Sequence, residues 1–178
     1  EKVTSLLPPG QYEVASLRRL HIGLPEPFNE ETWTLKVEGL VENPLTLSYS
    51  GLMNLPRALR VSDFHCVTGW SKLKNAWEGT LFTTIMRRSQ PLRKAKYATI
   101  ECENGYTTSL PLADLALDDV MLAYRLDNAK LPHQHGGPVR LVVPHKYAYK
   151  SAKWVRKIRF TETQQLGYWE TRSFSNTA

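Results

Sequence analysis

The chain has 178 residues, 42% of them hydrophobic, and a formal net charge of +6. That suits one globular domain over residues 1–178 with a sizeable core, and leaves no case for two. No apolar run approaches the roughly 20 residues of a membrane helix, no basic-then-apolar signal opens the chain, and two cysteines without a CxxC pair exclude a disulfide framework and a zinc finger.

Residues 1–9 read as a loose arm. In "WTLKVEGLV", Trp33, Leu35 and Val37 alternate with Thr34, Lys36 and Glu38, so the segment is a half-buried strand. "ENP" turns the chain, and "SYSGLMNLP" is a short helix between a serine cap and Pro56. "LRVSDFHCV" is a strand running into Cys66, after which Gly69 permits a sharp turn. "WEGTLFTTIMRRSQP" reads as one helix: Leu81, Phe82, Ile85 and Met86 share a face, basic residues fill the last turn, and Pro91 follows. "YATIECENGYTTSLPL" is two strands about an Asn-Gly turn. "VMLAYRLDNAKLP" is a strand with a turn. "GGPVRLVVPHKY" and "KWVRKIRFTE" are strand-like, with Val155 on the face opposite Ile158 and Phe160. Short strands outnumber helices, so the fold class is α+β, mostly β.

The distribution of charge says more than its size. No acidic residue stands between Asp127 and Glu162, a stretch carrying Lys130, Arg140, Lys146, Lys150, Lys153, Arg156, Lys157 and Arg159. Solvated faces usually mix signs. The stretch therefore points to a bound anion: a nucleic acid, a phosphate or an anionic substrate.

Four segments offer chemistry. In "DFHCVTGW", Cys66 reads as a buried small hydrophobe or as a thiolate ligand of a metal. His65 is a poor base for it, because neighbouring strand residues point to opposite faces. Cys66 and Cys102 are expected to stay reduced. In "LPHQHGGPVR", His133 and His135 alternate along an extended segment, two glycines allow close backbone approach, and Arg140 lies beyond. The readings there are an anionic cofactor site, a zinc site or a polar turn. In "KYAYKSAKW", Lys150, Ser151 and Lys153 place donors around one spot, as an anion nest or a solvated loop. "SLRRLHIGLP" carries Arg18, Arg19 and His21 before a turn.

In this order these segments resemble the sulfite oxidase family of molybdenum enzymes, in particular its small prokaryotic members. The similarity covers nearly the whole chain, through "WTLKVEGLVENPLTLSYSGLMNLP", "DFHCVTGWS", "HGGPVRLVVPHKYAYKSAKWVRKIRF" and "GYWETRSFSNTA". It implies a molybdopterin-binding fold of mixed sheets with short helices. It implies a mononuclear molybdenum held by one pterin dithiolene, with Cys66 as the one protein thiolate. His135 and Arg140 match the H-G-x-P-x-R cofactor motif, and Ser151, Ala152 and Lys153 match the element that grips the terminal phosphate. Arg19 and His21 match the N-terminal R-x-H element. His21 is then a cofactor contact, and Arg19 is the catalytic candidate that holds substrate beside Cys66. One more cofactor contact is expected near Glu101 to Glu103.

The resemblance implies two-electron oxygen-atom transfer on a small oxyanion, S-oxide or N-oxide. Electrons are expected from a separate haem- or quinone-linked protein or carrier, since no haem domain precedes the core and no β-sandwich domain follows it. The chain reads as trimmed near "SNTA". Cytoplasm is favoured over periplasm if Glu1 stands near the true start. Phe174 occupies the place of an active-site tyrosine and cannot donate a hydrogen bond, which counts against sulfite oxidation. The competing readings are a non-catalytic molybdopterin-binding protein, a basic nucleic-acid-binding domain and a Cys-His hydrolase. The first favours no turnover, the second steep salt dependence, and the third alkylation-sensitive hydrolysis without metal. The reading adopted involves a small-molecule substrate, no nucleic acid and no membrane span.

Overall fold

A computed structural model describes residues 7–177. Most of the expected N-terminal arm lies outside the described residues. The spine of one sheet is β5 (Trp70–Leu81). It pairs antiparallel with β4 (Ala58–His65), antiparallel through its second half with β8 (Met121–Leu126), and parallel at its start with the short β1 (Tyr12–Glu13). To β8 are added β9 (Ala129–Lys130) and β10 (Arg140–Val142), both antiparallel.

The second sheet runs β3-β2-β11-β6-β7. Its strands are β2 (Thr34–Gly39), β3 (Leu45–Ser48), β6 (Tyr97–Cys102), β7 (Thr107–Pro111) and β11 (Val155–Thr161). β2 and β11 are parallel and the other pairs antiparallel, so the sheet is mixed as expected. The helices are short: α1 (Tyr49–Met53), α2 (Phe82–Ser89) and α3 (Leu112–Leu115). Among the described residues, no helix is long and apolar enough to cross a membrane.

Side-chain alternation explains why the first sheet is buried on both faces. On β8, Leu122 and Tyr124 enter the larger core, which also takes Leu35, Val37, Ile100, Ile158 and Phe160 from the second sheet. Met121 and Ala123 point the other way, into a smaller core with Phe64, Cys66, Trp70 and Trp77. Cys66 thus stands where the smaller core meets the surface.

Local signals behave as expected in several places. Ser48 caps α1, its side chain accepting from Gly51 N. The Asn104-Gly105 turn joins β6 to β7, with Gly105 at φ +82°. Asp127 and Asn128, both at positive φ, turn β8 back into β9.

Two expectations fail for tertiary reasons. The helix expected over 77–89 starts only at Phe82, because residues 77–81 are the end of β5. Gly79 shows why: a Cβ there would meet Leu122 O at 2.0 Å, so the glycine lets β5 lie against β8. Val155 does not face away from Ile158 and Phe160. All three enter the larger core, because a register shift between Val155 and Lys157 in the pairing with β6 re-phases the strand.

Candidate functional site

The turn after β4 builds the site outward from Cys66. Cys66 N donates to Trp70 O at 2.9 Å and Gly69 N to Cys66 O at 3.0 Å. Gly69 takes φ +92°, which only glycine adopts cheaply. From the N-terminal segment, Gln11 Nε2 donates to Cys66 O at 3.1 Å. The Cys66 side chain lines a cavity, where Thr68 Oγ1 donates to its sulfur at 3.1 Å. His65 turns away and meets Ser71 Oγ at 2.6 Å. Ser71 in turn donates to Gln11 Oε1 at 2.9 Å. No dyad forms between Cys66 and His65, as strand geometry predicts.

The cavity has a volume of about 340 Å³. It is walled by Leu17–Ile22 except Arg19, the end of β4 with the Cys66 turn, the Asn104–Tyr106 turn, Arg140 of β10, residues 148–154 except Lys150, and a C-terminal stretch offering Trp169 and Phe174. Tyr106 donates its hydroxyl to the main-chain oxygen of Tyr149, which joins two of these walls.

The acid-free stretch looks different once folded. Acids from elsewhere in the chain neutralise most of its cations. Lys157 and Arg159 face Glu38 and Glu101, Arg156 pairs with Glu103, and Lys146 lies 3.6 Å from Asp114. Lys130 rests over the Phe28 and Tyr49 rings. Lys150, offered by the sequence as an anion donor, points into the interior and pairs with Glu170 Oε1 at 2.5 Å. Arg140 and Lys153 remain. Among the described residues neither has a carboxylate within ion-pair distance.

Arg140 is 2% exposed. It lies over Phe64 and Trp77 and donates to His135 O at 2.9 Å and Ser151 O at 3.0 Å. It therefore ties the histidine turn to the serine turn. Burial lowers its pKa to about 9, which leaves it cationic at neutral pH. Lys153 Nζ donates to Leu20 O at 2.8 Å. Burial first, then Arg140, lowers it to about 7. Gly136 lies between the two chains at φ +110°, and a Cβ there would meet Lys153 Cβ at 2.9 Å and Arg140 Cβ at 3.0 Å. The glycine lets both cations converge on one spot.

His135 sits beside them, its pKa lowered to about 4 by burial and by the charges of Lys153, Arg140 and Arg19. Its ring is neutral at pH 7, and its Nδ1 is buried without a hydrogen-bond partner among the described residues. Two cations without a carboxylate partner and a cysteine sulfur on one cavity, with an unpartnered ring nitrogen behind Arg140, fit a cofactor that combines an anionic group with a thiophilic metal.

Lys153 carries a pH prediction. Its pKa is depressed from 10.5 to about 7 in the folded chain without cofactor. Between those values the unfolded lysine holds a proton that the folded one has shed, so stability rises with pH across the window. Thermal unfolding of cofactor-free protein is expected to shift upward from pH 7 to pH 10. Lys153→Met should flatten that rise, and an equal slope in the variant would assign it elsewhere.

The structure brings together Cys66, His21, Arg140, Ser151, Ala152 and Lys153 on one cavity, with His135 bonded behind it. It does not bring Arg19 there. Arg18 lines the cavity instead, its guanidinium over the Tyr12 ring, while Arg19 stands near enough to His135 to lower its pKa. Strand-like alternation between His133 and His135 also fails. Both lie in a 3₁₀ turn, and His133 is bound to Pro25 O and Gly137 O. Among the described residues, no group of three or more His, Cys, Asp or Glu is placed to hold a metal, which removes the zinc reading. Glu101 and Glu103 are spent on surface ion pairs, and their neighbour Asn104 reaches the cavity. Cys66 and Cys102 are both free, and burial holds the Cys102 thiol well above its ordinary pKa. Sequence reading passes over Thr68, Tyr106 and Tyr149 and reaches Asn104 only as the neighbourhood of Glu101 to Glu103. The position of Tyr106 just past the Asn-Gly turn was its only sequence signal.

Residues 21–169 match the family described as the oxidoreductase molybdopterin binding domain. The uncharacterized oxidoreductase YuiH of Bacillus subtilis is 39% identical, over 94% of this chain and 85% of its own length. The catalytic subunit MsrP of the protein-methionine-sulfoxide reductase of Campylobacter jejuni is 32% identical over 90% of this chain, which spans 59% of that relative. The sulfane dehydrogenase SoxCD of Paracoccus pantotrophus shares the fold, with a TM-score of 0.70 over 77% of this chain and 40% of its own, at 22% identity. The cavity that accepts an anionic, thiophilic cofactor thus coincides with a family match over most of the chain: the protein belongs to the sulfite oxidase family, as an oxidoreductase molybdopterin-binding domain whose cofactor is a molybdopterin.

Proposed function

We propose that this oxidoreductase performs two-electron oxygen-atom transfer, and that it reduces an organic S-oxide or N-oxide rather than oxidising a small oxyanion. When bound, one molybdopterin dithiolene and its single molybdenum supply the redox chemistry of that transfer. The observation that carries the choice of substrate is the wall around Cys66. Leu17, Leu20, Val67 and Phe174 line it, and Phe174 offers no hydrogen bond. With Arg140 and Lys153 given to the cofactor, Arg18 is the one cation this wall leaves for a substrate, so an oxyanion would be poorly compensated there, whereas a neutral sulfoxide needs one donor for its oxygen and apolar contact for the rest. The MsrP relative, the catalytic subunit of a protein-methionine-sulfoxide reductase, agrees with this reading.

In this scheme Cys66 supplies one thiolate to the metal. Arg140, Lys153, Ser151, Ala152, His135 and His21 would hold the pterin and its phosphate, with Gly136 letting the Arg140 and Lys153 side chains pack side by side. Arg19, beside His135, adds to the field on that anion rather than touching substrate. Arg18, on the cavity wall, takes the place at which a donor could meet the substrate oxygen. The balance is sulfoxide plus two protons and two electrons giving thioether and water. The electrons come from a separate protein or carrier, haem- or quinone-linked.

Protein from a cofactor-competent host is expected to contain about one molybdenum and one pterin per chain. It should oxidise a reduced dye with dialkyl sulfoxides or N-oxides and show little reduction of an oxidised dye with sulfite. Faster turnover with sulfite would reverse the direction proposed. Bound pterin with no turnover on any oxide would make this a non-catalytic molybdopterin-binding protein, and soluble folded protein without either component would sink the reading.

A further inference from the structure

Thr68 lies two residues past Cys66, in the same turn and on the same cavity. Its Oγ1 donates to Cys66 Sγ at 3.1 Å. The turn that sets this contact is held from several sides. Its own main-chain bonds close it, Gly69 fixes its bend, and Gln11 clamps the Cys66 carbonyl. Tyr12 N donates to Gly69 O at 2.9 Å, which fastens the turn to the N-terminal segment. The hydroxyl is therefore held at the sulfur by backbone that cannot easily relax. Thr68 itself is exposed and contributes little to either core, so packing does not account for the contact.

A sulfur that accepts a hydrogen bond has less lone-pair density to give a metal. Weaker donation favours the reduced metal and raises its potential, as hydrogen bonds to cysteine sulfur do at other metal centres. We propose that Thr68 is a positioning residue of the metal centre: its hydroxyl holds the Cys66 sulfur in one orientation and limits how strongly that sulfur donates to the metal. The proposal rests on Cys66 being the protein ligand.

The test uses the loaded full-length protein and reads the centre rather than turnover. Thr68→Val removes the donor at nearly constant shape, and Thr68→Ser retains it. Molybdenum and pterin content should match the parent in both. In Thr68→Val the sulfur-to-metal charge-transfer band should move to longer wavelength and the metal's reduction potential should fall. Thr68→Ser should restore both. An unmoved band and potential in Thr68→Val would overturn the proposal, as would a shift that Thr68→Ser fails to reverse, since shape rather than the hydroxyl would then be the cause. Cys66→Ser separates the two layers. A band that survives it refutes the ligand assignment itself, whereas a band lost in Cys66→Ser but indifferent to Thr68→Val refutes only the role of Thr68.

Discussion

Replacing Cys66 with serine is expected to leave a folded chain that carries the pterin and turns over more than about a hundredfold more slowly, well beyond what loss of an outer-shell partner costs. Two features of the fold support that separation. The groups assigned to the pterin, Arg140, Lys153 and His135, are held by bonds that do not involve the Cys66 side chain. The turn is closed by main-chain bonds and Gln11, which a serine leaves in place. What changes is one soft ligand, since an alcohol at neutral pH is a poor donor to a thiophilic metal. Circular dichroism, pterin content, metal content and dye-coupled turnover together check the prediction. Turnover close to that of the parent would show that Cys66 is not the ligand.

The largest expected effect on stability lies behind the site. The Lys150 side chain is 1% exposed and that of Glu170 is fully buried. The lysine also donates to Ser109 O at 3.0 Å, and the carboxylate accepts from Thr108 Oγ1 at 2.8 Å. The pair joins β7, the turn before Ser151, and the C-terminal stretch that offers Trp169 and Phe174 to the cavity. Burial lowers the lysine's pKa, and Glu170 offsets part of that. Lys150→Met should strand a buried carboxylate and cost about 3–5 kcal/mol. For a chain of this size that is about a 10 °C fall in thermal midpoint. Adding Glu170→Gln, which leaves Thr108 an acceptor, should recover most of the loss. Pterin affinity should fall in the single variant and return in the double. A single variant as stable as the parent would mean that the pair contributes nothing net.

Cys66 and the Lys150–Glu170 pair also show what sequence reading can and cannot reach. Cys66 was legible because its neighbours are local: a strand, a Thr-Gly turn, and a histidine that alternation sends to the other face. Arg140 and Lys153 were legible as part of a run without acids. Lys150 belonged to the same run and was misread, because its partner Glu170 stands outside that run and reaches it only through the fold. The choice between Arg18 and Arg19 failed for a related reason. Adjacent residues in an irregular segment have no period from which to infer which one faces a cavity.

The pattern of apolar alternation, the Asn-Gly turn, the capped helix and the four blocks of family resemblance were sufficient for the α+β class, the family and most of the residues that the fold gathers on one cavity. Each of these signals is carried by residues a few positions apart, whose geometry the backbone dictates. The end of β5 at Leu81, the register shift beside Val155, and the division of eight basic residues into five paired with acids, Lys130 on two aromatic rings, and Arg140 and Lys153 at the cavity were settled only by the tertiary structure. Strand pairing and charge compensation join segments far apart in the chain, and their energies depend on distances that no local pattern encodes.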